Sequence, residues 1–165
     1  MANLSSTLIS NITATPTVIN SPNSGASGEV NNTYAAIAVG TSEDTGNVLR
    51  FVRVPSNCRV SSIRLFSDAL GGTTAADIGL YQTAENGGAV VDADHFGSAV
   101  SLVNKVGGTE QAFESGVNTV ADIGLPLWSA LGLTADPQRE YDVAMTLTAD
   151  VTTPGSIGLK VEFVR

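Results

Sequence analysis

The chain has one histidine, His95, and it stands in Asp92-Ala93-Asp94-His95, the sharpest candidate for chemistry in the sequence. In an extended segment Asp92 and Asp94 fall on one face and could offer carboxylate oxygens to a hard cation. A calcium site takes roughly six to eight oxygens, and no EF-hand-like spacing of Asp, Asn, Gly and a closing Glu surrounds the pair. Asp92 and Asp94 are therefore weak metal candidates. The plainer reading is a polar turn leading into a strand with Phe96, Val100 and Leu102, with His95 partly exposed.

Other chemistries lack their parts. The Gly-x-Ser-x-Gly elbow is absent, and Ser24 sits in a low-complexity stretch with no rigid element to hold a triad. Gly25-Ala26-Ser27-Gly28 and Gly107-Gly108-Thr109 lack the lysine and the strand-to-helix setting of a phosphate loop, so they read as turns. Cys58 is the only cysteine, which excludes an intrachain disulfide and a four-cysteine zinc site and fits assembly in a cytosol. Asn11-Ile12-Thr13 and Asn31-Asn32-Thr33 match the glycosylation pattern, but the N-terminus has no basic residue followed by an apolar run, so they read as chance matches. No catalytic residue, cofactor or enzymatic activity is expected.

The elements that would position any site read as strands. Hydrophobic residues make up 42% of the chain and charged residues only 15%, too apolar for disorder and too poor in Lys and Glu for solvated helices. Tyr141, Val143, Met145 and Leu147 alternate with Asp142, Ala144, Thr146 and Thr148. After Thr153-Pro154-Gly155 the alternation resumes with Ile157, Leu159, Val161 and Phe163. Two such runs about a Pro-Gly break suggest antiparallel neighbours.

Further strands are expected at Tyr34–Val39, Val48–Val54, Arg59–Phe66, Asp77–Gln82 and His95–Val103, separated by Gly, Asn, Asp and Pro clusters. That spacing predicts an all-β, antiparallel sandwich of jelly-roll type. Val48–Val54 is apolar on both faces except at Arg50 and Arg53. It suits an inner strand with core on one side and a partner or the arm on the other, or a core-only strand. One short helix is expected near 126–131, with Pro126 at its start and Gly132 at its end, plugging one end of the sandwich. Trp128 reads as core beside Leu127 and Leu131, with an interface anchor as the alternative.

Residues 1–33 form an extended N-terminal arm and 34–165 the sandwich body in this reading. The arm is Ser-, Thr- and Asn-rich, and Glu29 is its only charged side chain. Its apolar residues Leu4, Leu8, Ile9, Ile12, Val18 and Ile19 are too many for a plain spacer. Together with Arg50 and Arg53 they are the candidate interface. Net charge is −8 with basic residues scattered, so no nucleic-acid partner is expected. No stretch is long and apolar enough for a membrane span.

The run from Arg50 to Ile63, then Asp77-Ile78-Gly79-Leu80-Tyr81, Gly88 to Phe96, Leu127-Trp128-Ser129-Ala130-Leu131-Gly132-Leu133, Asp136-Pro137 and Glu140-Tyr141-Asp142-Val143, resembles decoration (cement) proteins of tailed-phage capsids over about residues 48–148. The resemblance implies a jelly-roll-like sandwich on the capsid exterior of a virion. Its partners would be the major capsid protein and itself, as a trimer in preference to a dimer. It carries no catalytic roles. The alternative on the same fold is a carbohydrate- or receptor-binding module of a phage tail or adhesin.

Overall fold

The computed structural model describes residues 29–113, 122 and 124–165. Among them are eight strands: β1 (Val30–Val39), β2 (Val48–Pro55), β3 (Arg59–Ser67), β4 (Ala75–Gln82), β5 (Val90–Ser101), β6 (Thr109–Glu110), β7 (Glu140–Leu147) and β8 (Gly155–Val164). A four-residue helix α1 (Leu127–Ala130) and a 3₁₀ turn at Ala84–Asn86 complete them.

Two antiparallel sheets result, ordered β1-β8-β3-β6 and β2-β7-β4-β5. The pairs β1/β8, β2/β7, β3/β6 and β4/β5 nest inside one another, as if one long hairpin with its tip at β4/β5 had been rolled into two layers. This is the jelly roll expected from the sequence. The tip turns through Gly87 and Gly88, at φ 90° and 66°, a left-handed backbone suited to glycine.

Each strand turns its alternating apolar residues into the space between the sheets. Val143, Met145 and Leu147 of β7 and Ile157, Leu159 and Val161 of β8 are all buried there with Ile63, Leu65, Ile78 and Leu80. Bulges adjust that alternation. Register shifts between Val60 and Ser62 in β3, which lets Val60 and Ile63 both face the core although an odd spacing separates them.

Four expectations need correction. First, β7 and β8 are not neighbours: β7 pairs with β2 and β4, and β8 with β1 and β3. The segment 148–154 is a crossover between sheets. It is held by distant carbonyls, with Thr148 N–H on Ala75 O, Val151 N–H on Glu43 O and Thr153 N–H on Leu70 O. Second, β2 is an edge strand of its sheet and not an inner one. Third, Leu127 is the buried residue of α1, while Trp128 is only half-buried. Fourth, His95 is buried within β5, and that strand begins at Val90.

The helix docks on the β2–β3 turn, where Leu127 N–H donates to Cys58 O at 2.9 Å and Trp128 N–H to Ser56 O at 3.0 Å. Pro126 caps it, and Gly132 follows at φ 73°. β1 begins at Val30, four residues before the strand expected at Tyr34.

Candidate functional site

His95 Nδ1 and Asp92 Oδ2 lie 3.0 Å apart, and the imidazole also stands edge-on to Phe96, 4.8 Å between centroids. Asp94 is not part of that pair. Three register irregularities between β4 and β5 carry the Asp92–Gly97 segment across its neighbour, so that Asp92 pairs with Leu80 and Gly97 with Ile78. Gly79 makes the overlap possible, because a Cβ there would stand 2.1 Å from the Asp92 carbonyl oxygen. The described residues hold no group of three or more His, Cys, Asp or Glu side chains placed to bind a metal. The tetrapeptide lies within β5. Beside it, a cavity of about 480 Å³ is lined by Gln82, Asp92, Leu131, Leu133, Arg139 and Tyr141, among others.

Arg50 and Arg53 converge on the outer face of the second sheet. Residues three apart on a regular strand point to opposite sides, but the bulge between Arg50 and Val52 turns both guanidiniums outward. Asp142 of β7 accepts from Arg50 Nη1 at 3.0 Å and from Arg53 Nε at 2.9 Å. Arg50 further donates to Gln82 O at 2.9 Å and Gly88 O at 2.7 Å, tying the edge strand to the β4–β5 tip, and lies 5.4 Å from the Tyr81 ring centroid. Arg53 reaches Glu85 at 3.2 Å. Asp142, together with Glu85, holds the Arg53 guanidinium above its ordinary pKa. Both candidate interface arginines thus have partners in their own chain. The other six, Leu4, Leu8, Ile9, Ile12, Val18 and Ile19, lie outside the described residues.

An aromatic groove lies on the outer face of the first sheet. Tyr34 of β1 and Phe66 of β3 meet edge-to-face across β8, and a hollow of about 410 Å³ opens between them, Val106, Asp68 and Ser156. Gly158 makes room for this contact, since a Cβ there would stand 2.6 Å from Tyr34 Oη. Tyr34 is 46% and Val106 65% exposed. In sequence the only hint was Tyr34 and Phe66 standing on the polar face of their strands. Register alone brings them together: Tyr34 faces Lys160, while Phe66 faces Gly158 two residues earlier.

No protein-family model matches the chain, and no curated protein matches it significantly in sequence. Solved structures of like fold include a chain in the capsid asymmetric unit of cyanophage Pam1, with TM-score 0.54, 16% identity, and 92% of this chain and 95% of that one covered. Another is a chain in the capsid of Ralstonia phage GP4, with TM-score 0.60, 14% identity, and 86% and 87% covered. At these identities the likeness is one of fold, and it spans nearly the whole of each chain.

Proposed function

We propose that this chain is a structural virion protein that binds the outer surface of a phage capsid and stabilises the junctions between capsomers. The observation that carries the reading is the likeness in fold, over 92% and 86% of this chain, to chains in two phage capsid structures. The burial of the lone histidine against Asp92 and Phe96 also supports a non-enzymatic role.

In this reading the sandwich is a rigid block and the work is mechanical. The arm and one or two edge strands contact the major capsid protein and neighbouring copies, and a closed homo-oligomer, first of all a trimer, brings several weak contacts to bear at once. A contact of ordinary size buries about 1,200–2,000 Å² in total, and ordering the arm costs several kcal/mol of the gross interaction. Assembly takes place in the host cytoplasm and the protein ends on the capsid exterior.

Co-sedimentation of the purified chain with shells stripped of it tests the binding: saturable uptake at a fixed ratio to the shell protein is expected, and the absence of uptake would sink the proposal. A second reading, a carbohydrate- or receptor-binding module, is favoured by the exposed Tyr34–Phe66 groove, since aromatic faces pack against sugar rings. Glycan binding lost in Tyr34→Ala would move the assignment there.

A further inference from the structure

A strand at the border of a sheet presents unpaired backbone N–H and C=O groups, and proteins guard such borders with charge, proline, bulges or brevity. The two sheets have four borders: β1, β6, β2 and β5. β6 is two residues long and carries Glu110. β2 carries Arg50 and Arg53, is bulged, and ends in Pro55. β5 carries Asp92 and Asp94 and is irregular at three places.

β1 has none of these guards. Its ten residues, Val-Asn-Asn-Thr-Tyr-Ala-Ala-Ile-Ala-Val, include no charge, no proline and no glycine, and they pair with β8 without a break in register. Among the described residues β8 is its only strand partner. Tyr34, its one aromatic side chain, leans over Gly158 toward Phe66 and away from the border, so it does not screen the backbone there. Among the described residues of a chain of net charge −8, this long, neutral, regular edge has no strand on its outer side.

We infer that β1 is a strand-addition site and that its occupant is the N-terminal segment, within residues 4–19, of a second copy of this chain. The segment is the right chemistry for that edge. It has no charged residue and is rich in Thr and Ile, which suit a pleated strand. It joins the body at Glu29, immediately before the edge itself. Residues 1–28 could span at most roughly 90–100 Å when extended, against roughly 33 Å for a ten-residue strand, so the reach extends to an adjacent copy. Pro16 supplies what β1 lacks: on the added strand it blocks pairing on the new outer border, so addition stops at one strand. Main-chain pairing would give the affinity, and side chains on alternate positions the register. Exchange of arms around a ring is heterologous and can close with three-fold symmetry, whereas β1 meeting β1 of another copy gives only a two-fold.

This deepens the capsid reading, which needs copies to hold one another. The test uses free protein, so its failure is separate from failure to bind a shell. Full-length chains carrying Ala36→Cys are mixed with full-length chains carrying one cysteine placed in turn from Leu8 to Thr13. Cys58, fully buried, does not compete. Val106→Cys, exposed but away from the edge, is the control. The expected result is interchain disulfide between Ala36→Cys and alternate arm positions, formed roughly tenfold faster than with the control because docking raises the effective concentration. Homodimers of Ala36→Cys in preference to these would overturn the arm as occupant. A doubly substituted chain that closes only on itself would overturn the second copy, and rates no higher than the control would overturn the edge as a site.

Discussion

The rings of Tyr34 and Phe66 meet at 78°, 6.0 Å between centroids, across a strand whose intervening residue, Gly158, has no side chain to part them. Register sets this contact. β1 and β3 never pair with each other, and β8 between them brings the two rings within reach, Tyr34 opposite Lys160 and Phe66 opposite Gly158. The pair shapes the groove and draws Tyr34 off the border of β1.

Glycines at two positions should respond differently to a methyl group. In Gly158→Ala the new Cβ meets the far end of a half-exposed tyrosine, which can swing into solvent. The expected cost is the aromatic pair alone, about 0.5–1.5 kcal/mol. In Gly79→Ala the obstacle is the backbone of Asp92 and Ala93, at 2.1 Å and 2.4 Å, which cannot move without unpairing β5. A loss of several kcal/mol or failure to fold is expected. Urea denaturation of both variants checks the order; equal costs would contradict it.

Arg50 and Arg53 share Asp142 but differ in what else they hold. Arg50 also satisfies the carbonyls of Gln82 and Gly88, and its side chain is 33% exposed against 42% for Arg53, whose second partner is the exposed Glu85. Arg50→Ala should cost about 2 kcal/mol and Arg53→Ala no more than about 1 kcal/mol, the latter shrinking in high salt. Thermal melts at two ionic strengths measure both.

The strands were legible in the sequence because alternation is local, but their partners were not. Tyr141–Leu147 and Ile157–Phe163 each announced a half-buried strand, yet Pro154-Gly155 between them resembled a hairpin turn. What separates the two strands is the hold that the carbonyls of Glu43, Leu70 and Ala75 have on residues 148–153, and sequence spacing does not reveal such remote bonds. β6, at two residues, is too short for any period to register. His95 was expected to be partly exposed because Asp92-Ala93-Asp94 before it read as a polar turn entering a strand. Its burial follows from the bulged course of β5 over Gly79, which only the pairing register discloses. The shared target of Arg50 and Arg53 was hidden for the same reason, since without the bulge they would face opposite ways.

Glu110 pins β6 to the bulge of β3. Partial burial pushes its carboxyl up, but hydrogen bonds from the Ser62 hydroxyl and the amides of Ile63, Ala112 and Gln111 outweigh that and hold it below the ordinary range. A carboxyl lowered in the folded state contributes stability above its unfolded pKa and loses it as the pH falls through the folded value. Glu110→Gln should therefore destabilise by about 1–2 kcal/mol at neutral pH, and the gap from the parent should narrow below about pH 4.5. A gap that stays constant to pH 3 would contradict this assignment.

Cys58 should be silent toward thiol reagents in the native protein. It is fully buried beneath α1, and burial pushes its thiol up to about 12, leaving almost no thiolate at neutral pH. Labelling with an aromatic disulfide reagent should be at least roughly a hundredfold slower than in urea-unfolded chain. Rapid labelling of folded protein would place the β2–β3 turn and α1 apart in solution.

The central claim, that the chain decorates a phage capsid, is tested most directly by cryo-electron microscopy of the particles that contain it. The account predicts jelly-roll density at regular positions on the outer face of an icosahedral shell, with each copy touching the shell protein and its own neighbours. Density confined to the tail, or a shell whose outer face carries none of this chain, would contradict it.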